Sequence, residues 1–227
     1  MDIVLIAGMW LDATAWKDVL PALAELGHRP VALTLPGQGD GDTTATYADQ
    51  VAAVTAAVDA AAGPALVVGH SAACALAWVA ADARPTKVAR VALIGGMPNA
   101  DGETYFGAFE PVDGVVPFPG WGTFEGPDSD DMPTELKAAV AHGAIAVPAA
   151  ITHGVVQLSD ERRYDVPVTM VCPEFTPDQA KEWVKTGEIP ELAKARRVDY
   201  VDIDSGHWPM YTKPVELARI LADCTRT

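Results

Sequence analysis

One short stretch carries the residue types that a serine nucleophile requires. Ser71 lies in GHSAA (69–73), directly after a buried-looking apolar run and before an alanine-rich segment. A sharp strand-to-helix turn with small flanking residues presents a serine hydroxyl as a nucleophile. The alternative is a serine that caps the following helix. The place after the third apolar run favours the nucleophile, because doubly wound sheets often open a crevice at this edge.

A serine hydroxyl needs a base, and the sequence offers five histidines. His207 follows the last apolar run, in VDIDSGHWPMYTKP (201–214), at the carboxyl edge of the predicted sheet. In one kind of Ser-His-acid triad the nucleophile comes early in the chain and the histidine comes late. His70 adjoins the serine, and consecutive side chains diverge, so we do not expect it to reach Ser71. His28 precedes a strand and so lies at the opposite edge of the sheet, and His142 and His153 fall in a long insertion.

Six short apolar runs predict the strands that position these residues. They cover residues 2–7, 30–35, 65–68, 88–94, 166–171 and 198–203. Runs of this length without alternation are typical of strands buried on both faces of a parallel sheet. Helical patterns separate them at residues 13–26, 46–62, 72–81 and 214–224. This alternation predicts an α/β fold with a doubly wound, mostly parallel six-stranded sheet.

A long segment at residues 97–165 interrupts this alternation. It is rich in proline, glycine and aromatic residues, and its clearest helix signal is SDDMPTELKAAVAHG (129–143), with Asp130 or Asp131 as the cap. Long insertions in compact domains are often lids or binding loops. We therefore predict one domain over residues 1–227 with a lid or cap insertion at 97–165. Its aromatic residues either line a substrate cavity or form the core of the lid.

Composition and charge exclude several classes of protein. The hydrophobic content of 49% and charged content of 21% are ordinary for a globular domain. A formal net charge of −15 disfavours nucleic acids and anionic membranes as partners. No apolar run is long enough to span a membrane, and the start MDIVLIAG does not have the pattern of a signal peptide, so we expect a cytoplasmic protein.

The cysteines give no reason to expect a metal or a disulfide framework. Cys74, Cys172 and Cys224 are scattered and lack metal-ligand spacing. The glycines of LPGQGDGD (35–42) lack the spacing of a dinucleotide fingerprint. We therefore expect no cofactor, and a small molecule as the partner.

The sequence resembles the α/β-hydrolase family over nearly its whole length. The resemblance rests on GHSAA (69–73), GHWPMYTKP (206–214) and LIAGMWLDATAW (5–16). Within the family it is similar to the small branch that contains plant methylesterases and hydroxynitrile lyases. Three positions depart from the pattern: Ala7 replaces a histidine, Ala73 replaces a glycine, and Thr176 occupies the usual place of the triad aspartate.

The resemblance implies an oxyanion hole and a Ser-His-acid triad. The oxyanion donors would be the backbone N–H groups of Met9 and Ala72. For the acid, Glu174 is preferred, because it follows the strand directly and glutamate has one more methylene of reach than aspartate. Asp178, Asp101 and the absence of any acid remain open.

The leading functional prediction is a serine hydrolase that cleaves a small carboxylic ester, thioester or lactone through an acyl-enzyme. The substrate would have an apolar part, with Trp10, Trp121 and Trp208 as candidate contacts. One alternative keeps the fold but changes the chemistry, to a hydroxynitrile lyase-like enzyme or an isomerase. Another is a ligand-binding protein without catalysis.

Overall fold

The structure, a computed structural model that describes residues 1–226, is organised around a parallel sheet. The strands are β1 (Asp2–Ile6), β2 (Arg29–Leu33), β3 (Ala65–His70), β4 (Val88–Ile94), β5 (Val115–Val116), β6 (Val147–Pro148), β7 (Val168–Cys172) and β8 (Val198–Asp202). Six of them form a sheet in the order β2-β1-β3-β4-β7-β8, all parallel, while β5 and β6 form a separate antiparallel pair. The predicted six-stranded α/β sheet is confirmed.

Helices cover both faces of this sheet. They are α1 (Val19–Glu25), α2 (Tyr47–Asp59), α3 (Ala73–Ala83), α4 (Thr134–Gly143), α5 (Ala149–Thr152), α6 (Pro177–Thr186), α7 (Pro190–Lys194), α8 (Pro209–Thr212) and α9 (Pro214–Asp223). Successive side chains of β1 point to opposite faces. Val4 and Ile6 belong to the same core cluster as residues of α2 and α3, whereas Ile3 and Leu5 pack with residues of α1 and α9.

The sequence predicted one continuous helix over residues 13–26, but the structure divides this segment into two elements. The structure has a 3₁₀ turn at Ala13–Trp16, capped by the Asp12 carboxylate, and α1 begins only at Val19. Pro21 explains the break, because a proline has no N–H to donate to the carbonyl four residues earlier. A helix that starts at Val19 places Pro21 in its first turn, where this donor is not needed.

Part of the insertion reaches the end of β3, where three of its phenylalanines line a cavity together with Ser71. The insertion contains the β5–β6 pair, α4, α5 and two 3₁₀ turns at Trp121–Phe124 and Gly126–Asp128. The predicted cap of α4 is wrong: Pro133 is the N-cap residue. The Asp131 carboxylate instead accepts a hydrogen bond from the Gly206 N–H at 2.8 Å. The role of this segment as a lid stays a prediction.

No helix within residues 1–226 combines the length and the apolar character that crossing a bilayer requires.

An ion pair between the buried Asp2 and the exposed Arg29, at the start of the sheet, leads to the first prediction. Asp2, only 8% exposed, accepts hydrogen bonds from Arg29 of β2 (Nε to Oδ1, 2.7 Å) and from the Ala62 N–H (2.7 Å). The hydrogen bonds from Arg29 and Ala62 lower the pKa of Asp2 from 3.8 to about 2. We expect Asp2→Asn to lower the free energy of unfolding by about 1–3 kcal/mol at neutral pH.

The pH dependence follows from the direction of that shift. A carboxyl whose pKa is lower in the folded chain stabilises it above the ordinary pKa, and this contribution is lost as the pH falls through about 2. Urea unfolding of wild type and Asp2→Asn should therefore differ at pH 7, begin to converge below about pH 4 and converge fully only near pH 2. Asp178→Asn, which removes an exposed pair with Lys181, is the control and should change little. Equal stabilities at pH 7 for wild type and Asp2→Asn would contradict the prediction.

Candidate active site

Ser71 lies on a strained turn between β3 and α3. Its φ is 55°, in the left-handed region that residues with a side chain rarely adopt. A Cβ atom at Gly69 would lie 2.4 Å from the carbonyl oxygen of Ala73, so only glycine allows strand and helix to approach this closely. The Ser71 N–H donates to the Ile94 carbonyl of the neighbouring strand at 2.8 Å. This local geometry is that of a nucleophile elbow.

Glu174 and His207 come together beside this turn. His207 lies in the loop between β8 and α8, and its Nδ1 is 2.7 Å from Oε1 of Glu174, which follows β7. Since a carboxylate only accepts, Nδ1 carries the proton, and Nε2 is the nitrogen left to act as a base. His207 and Ser71 line the same cavity of about 210 Å³. Within residues 1–226 no hydrogen bond joins them; such contacts often tighten only when substrate binds.

The other carboxylates considered for the acid lie elsewhere. Asp178 is in the first turn of α6, where it is exposed and pairs with Lys181 at 2.8 Å. Asp101 accepts a hydrogen bond from the Leu158 N–H at 2.8 Å. Thr176 caps α6 by accepting from the Gln179 N–H. Of the three candidate carboxylates, only Glu174 contacts His207.

Buried polar groups that the sequence did not single out hold the His207 loop. Nε2 of His70 donates to the His207 carbonyl oxygen at 2.8 Å. The His207 N–H donates to the carbonyl oxygen of Asp128, also at 2.8 Å. Burial, and then the proximity of His207, keep the pKa of His70 well below its usual value. His70 is therefore neutral, and its Nε2–H supports the His207 loop.

The two predicted oxyanion donors belong to residues next to Ser71 in the cavity or in the chain. Met9 lines the cavity with Ser71, and Ala72 is the N-cap residue of α3. The first N–H groups of a helix lack intrahelical acceptors and lie at the positive end of the helix dipole. In the described chain, neither the Met9 nor the Ala72 N–H donates to another protein group. A Cβ atom at Gly8 would lie 2.8 Å from Cβ of Ser71, so the Met9 loop passes directly against the serine.

Aromatic side chains form the wall of the cavity. Trp10 packs edge-on against four phenylalanines of the insertion at centroid distances of 5.5–6.0 Å: Phe106, Phe109, Phe118 and Phe124. Three of them line the cavity together with Trp10 and Trp208: Phe106, Phe109 and Phe124. The phenylalanines of the insertion therefore line the cavity and also pack against Trp10 in a small aromatic core.

Trp121 does not line this cavity, in contrast to the prediction. Its ring packs against that of Trp208 at 5.1 Å, and its indole N–H donates to the Lys137 carbonyl at 2.8 Å. Trp121 therefore supports Trp208, which does line the cavity. No lysine, arginine, aspartate or glutamate is among the residues that line the cavity.

A larger cavity, of about 510 Å³, lies between α2, α3 and α5. Asp82 is the one charged residue among those that line it, and its carboxylate accepts hydrogen bonds from the N–H groups of Ser159 and Asp160 and from Arg163. No serine–histidine pair lines it. Among residues 1–226, no three His, Cys, Asp or Glu side chains are grouped to hold a metal ion.

Comparison with known proteins identifies the family. The model of the alpha/beta hydrolase family matches residues 3–220, so the chain belongs to that family. Comparison with curated protein sequences gives no match.

Solved structures with the same fold include enzymes from bacteria and plants. An extracellular α/β-hydrolase from a Paenibacillus species superimposes with a TM-score of 0.81 at 16% identity, covering 100% of both chains. A methylesterase from Arabidopsis gives 0.76 at 14% identity, covering 99% of this chain and 98% of the other. A pyrethroid hydrolase from Sphingobium faniae gives 0.70 at 22% identity, covering 98% and 96%. At these identities the likeness shows the fold.

Proposed function

We propose that this protein is a serine hydrolase that cleaves a small, neutral carboxylic ester, thioester or lactone. The observation that carries the proposal is the 2.7 Å contact between His207 Nδ1 and Glu174, with His207 and Ser71 on one cavity. A base oriented by a carboxylate beside a serine on a strained turn is the arrangement that activates a hydroxyl for attack on a carbonyl.

The residues divide the reaction between them. Oγ of Ser71 attacks the substrate carbonyl while Nε2 of His207 takes its proton, and Glu174 stabilises the imidazolium that forms. The N–H groups of Met9 and Ala72 bind the oxyanion, and each such donor contributes about 3–4 kcal/mol to transition-state stabilisation. His207 then gives the proton to the leaving alkoxide or thiolate. A water activated by His207 releases the acyl group from Ser71.

The character of the cavity supports a neutral substrate. Its side chains are mainly aromatic or aliphatic, and none of them belongs to a lysine, arginine, aspartate or glutamate. An ionised substrate group would have to leave water without a partner there, which is costly. The names of structural relatives, a methylesterase and a pyrethroid hydrolase, are consistent with an ester substrate.

The lyase alternative receives no comparable support. Cleavage of a cyanohydrin releases an anion, and no lysine or arginine lines the cavity to stabilise one. Ligand binding without catalysis leaves the contact between Glu174 and His207 unexplained. Hydrolysis uses Ser71, His207 and Glu174 together.

A matched pair of substrates tests the proposed substrate class. We expect p-nitrophenyl hexanoate to be hydrolysed with a kcat/KM about 10-fold or more above that of the p-nitrophenyl monoester of adipate, which is similar in length but carries a carboxylate. The rates should be compared at high ionic strength, because the net charge of −15 also repels anions at long range. Equal values of kcat/KM for the two esters would contradict the proposal that the cavity selects neutral substrates.

A further inference from the structure

The buried side chain of Gln38 contacts the loop at residues 8–11, which borders the proposed active site. It lies in the turn after β2 and is 1% exposed. Its Nε2 donates to the carbonyl oxygens of Gly8 and Leu11, at 2.6 Å each. The loop between these two carbonyls contains Met9, the proposed oxyanion donor, and Trp10.

The contacts determine which way the Gln38 amide points. Two carbonyl oxygens can only accept, so the NH₂ group must face them. The opposite atom, Oε1, is 3.5 Å from Nε2 of Gln50, which itself donates to the Pro36 carbonyl at 3.0 Å. Both N–H donors of Gln38 are therefore used on the active-site loop.

Peptide geometry connects this contact to the oxyanion donor. The Gly8 carbonyl and the Met9 N–H belong to one peptide unit, which is planar and trans, so they point in opposite directions. Gln38 and the Leu11 N–H (3.3 Å) hold the carbonyl oxygen. The Met9 N–H consequently points away from Gln38, on the side where Gly8 lies against Ser71.

The loop needs such support because its backbone is strained. Trp10, directly after Met9, has a φ of 65°, a conformation that costs about 1–3 kcal/mol for a residue with a side chain. The Ile145 N–H holds the Trp10 carbonyl at 2.9 Å, and Gln38 holds the carbonyls on both sides of it. Rotation of the Gly8–Met9 peptide would break the bonds to Gln38 and Leu11.

We propose that Gln38 is a positioning residue for the oxyanion hole. It fixes the Gly8–Met9 peptide so that the Met9 N–H is available to the oxyanion beside Ser71. The catalytic consequence rests on the proposed hydrolase function, whereas the orientation of the peptide is a property of the fold alone.

Two buried glutamines allow a matched test. Gln38→Met keeps the length of the side chain and removes its donors, and Gln50→Met makes the same change in a residue that is 0% exposed but does not touch the loop. With p-nitrophenyl acetate, we expect Gln38→Met to lower kcat by about 10- to 100-fold, with KM changed less than about threefold. The pH profile of kcat/KM should be unchanged, because His207 and Glu174 are not touched. Gln50→Met should stay within about threefold of wild type.

Crystal structures of the two variants separate this inference from the proposed function. We expect the Gly8–Met9 peptide to rotate or to adopt two conformations in Gln38→Met and to be unchanged in Gln50→Met. An unchanged peptide in Gln38→Met, or equal losses of kcat in both variants, would overturn the role of Gln38. If wild type hydrolyses no ester, the proposed function fails, and the peptide comparison still decides the inference. If Gln38→Met does not fold, Gln38→Ala, which also removes both donors, replaces it in both measurements with the same expectations.

Discussion

Ser71→Ala is expected to lower kcat for p-nitrophenyl acetate by roughly 10⁵-fold. The reason is that the hydroxyl on the strained turn is the proposed nucleophile, and without it only binding and the oxyanion donors remain. The fold should be retained, because alanine and serine both carry a Cβ at the φ of 55° and the N–H bond to Ile94 belongs to the backbone. Initial rates and thermal unfolding of the purified variant measure both effects.

A second serine provides the control for this loss. Ser159 lines the larger cavity and contacts Asp82, away from the proposed site. Ser159→Ala should keep kcat within about threefold of wild type. If Ser71→Ala hydrolysed the ester as fast as Ser159→Ala, the nucleophile would have to be another group.

Glu174→Gln should lower kcat by about 10³- to 10⁴-fold. The carboxylate accepts the proton-bearing Nδ1 of His207 at 2.7 Å, and so fixes the ring with Nε2 unprotonated. An amide can present its NH₂ group to Nδ1 instead, which favours the tautomer that cannot act as a base toward Ser71. The loss should appear in kcat and leave KM nearly unchanged, because Glu174 is not among the residues that line the cavity and so does not contact the substrate.

The other two candidate acids serve as matched controls for that substitution. Asp178→Asn removes an exposed pair with Lys181, and Asp101→Asn alters a contact with the Leu158 N–H. We expect both variants to keep kcat within about threefold of wild type. A large loss in either, together with an active Glu174→Gln, would assign the acid differently.

The sequence was sufficient to predict the sheet and the family. The run at 65–68 is continuously apolar, and the run at 88–94 is apolar except for Arg90, because these strands are buried on both faces; they agree with β3 and β4. GHSAA (69–73) and the late histidine predicted the α/β-hydrolase family that the family model shows. These signals are local, so a single sequence contains them in full.

The supports of the site could not be predicted, because they depend on contacts between distant residues. Gln38 is 30 residues from Gly8, and His70 is 137 residues from the His207 carbonyl that it binds. Nothing in the type or spacing of such residues distinguishes them from other polar residues in turns. The break before α1 was foreseeable from Pro21, and the position of Trp121 behind Trp208 was not, because it depends on how the insertion packs.

The central claim is that Ser71 is an activated nucleophile, and labelling with a fluorophosphonate tests it most directly. Mass spectrometry of the digested protein should find one phosphonyl adduct, on the peptide that contains Ser71, and none in Ser71→Ala. His207→Ala should slow labelling by about 10³-fold or more, because the base is removed. An unlabelled Ser71, together with ester hydrolysis that persists in Ser71→Ala, would contradict the account.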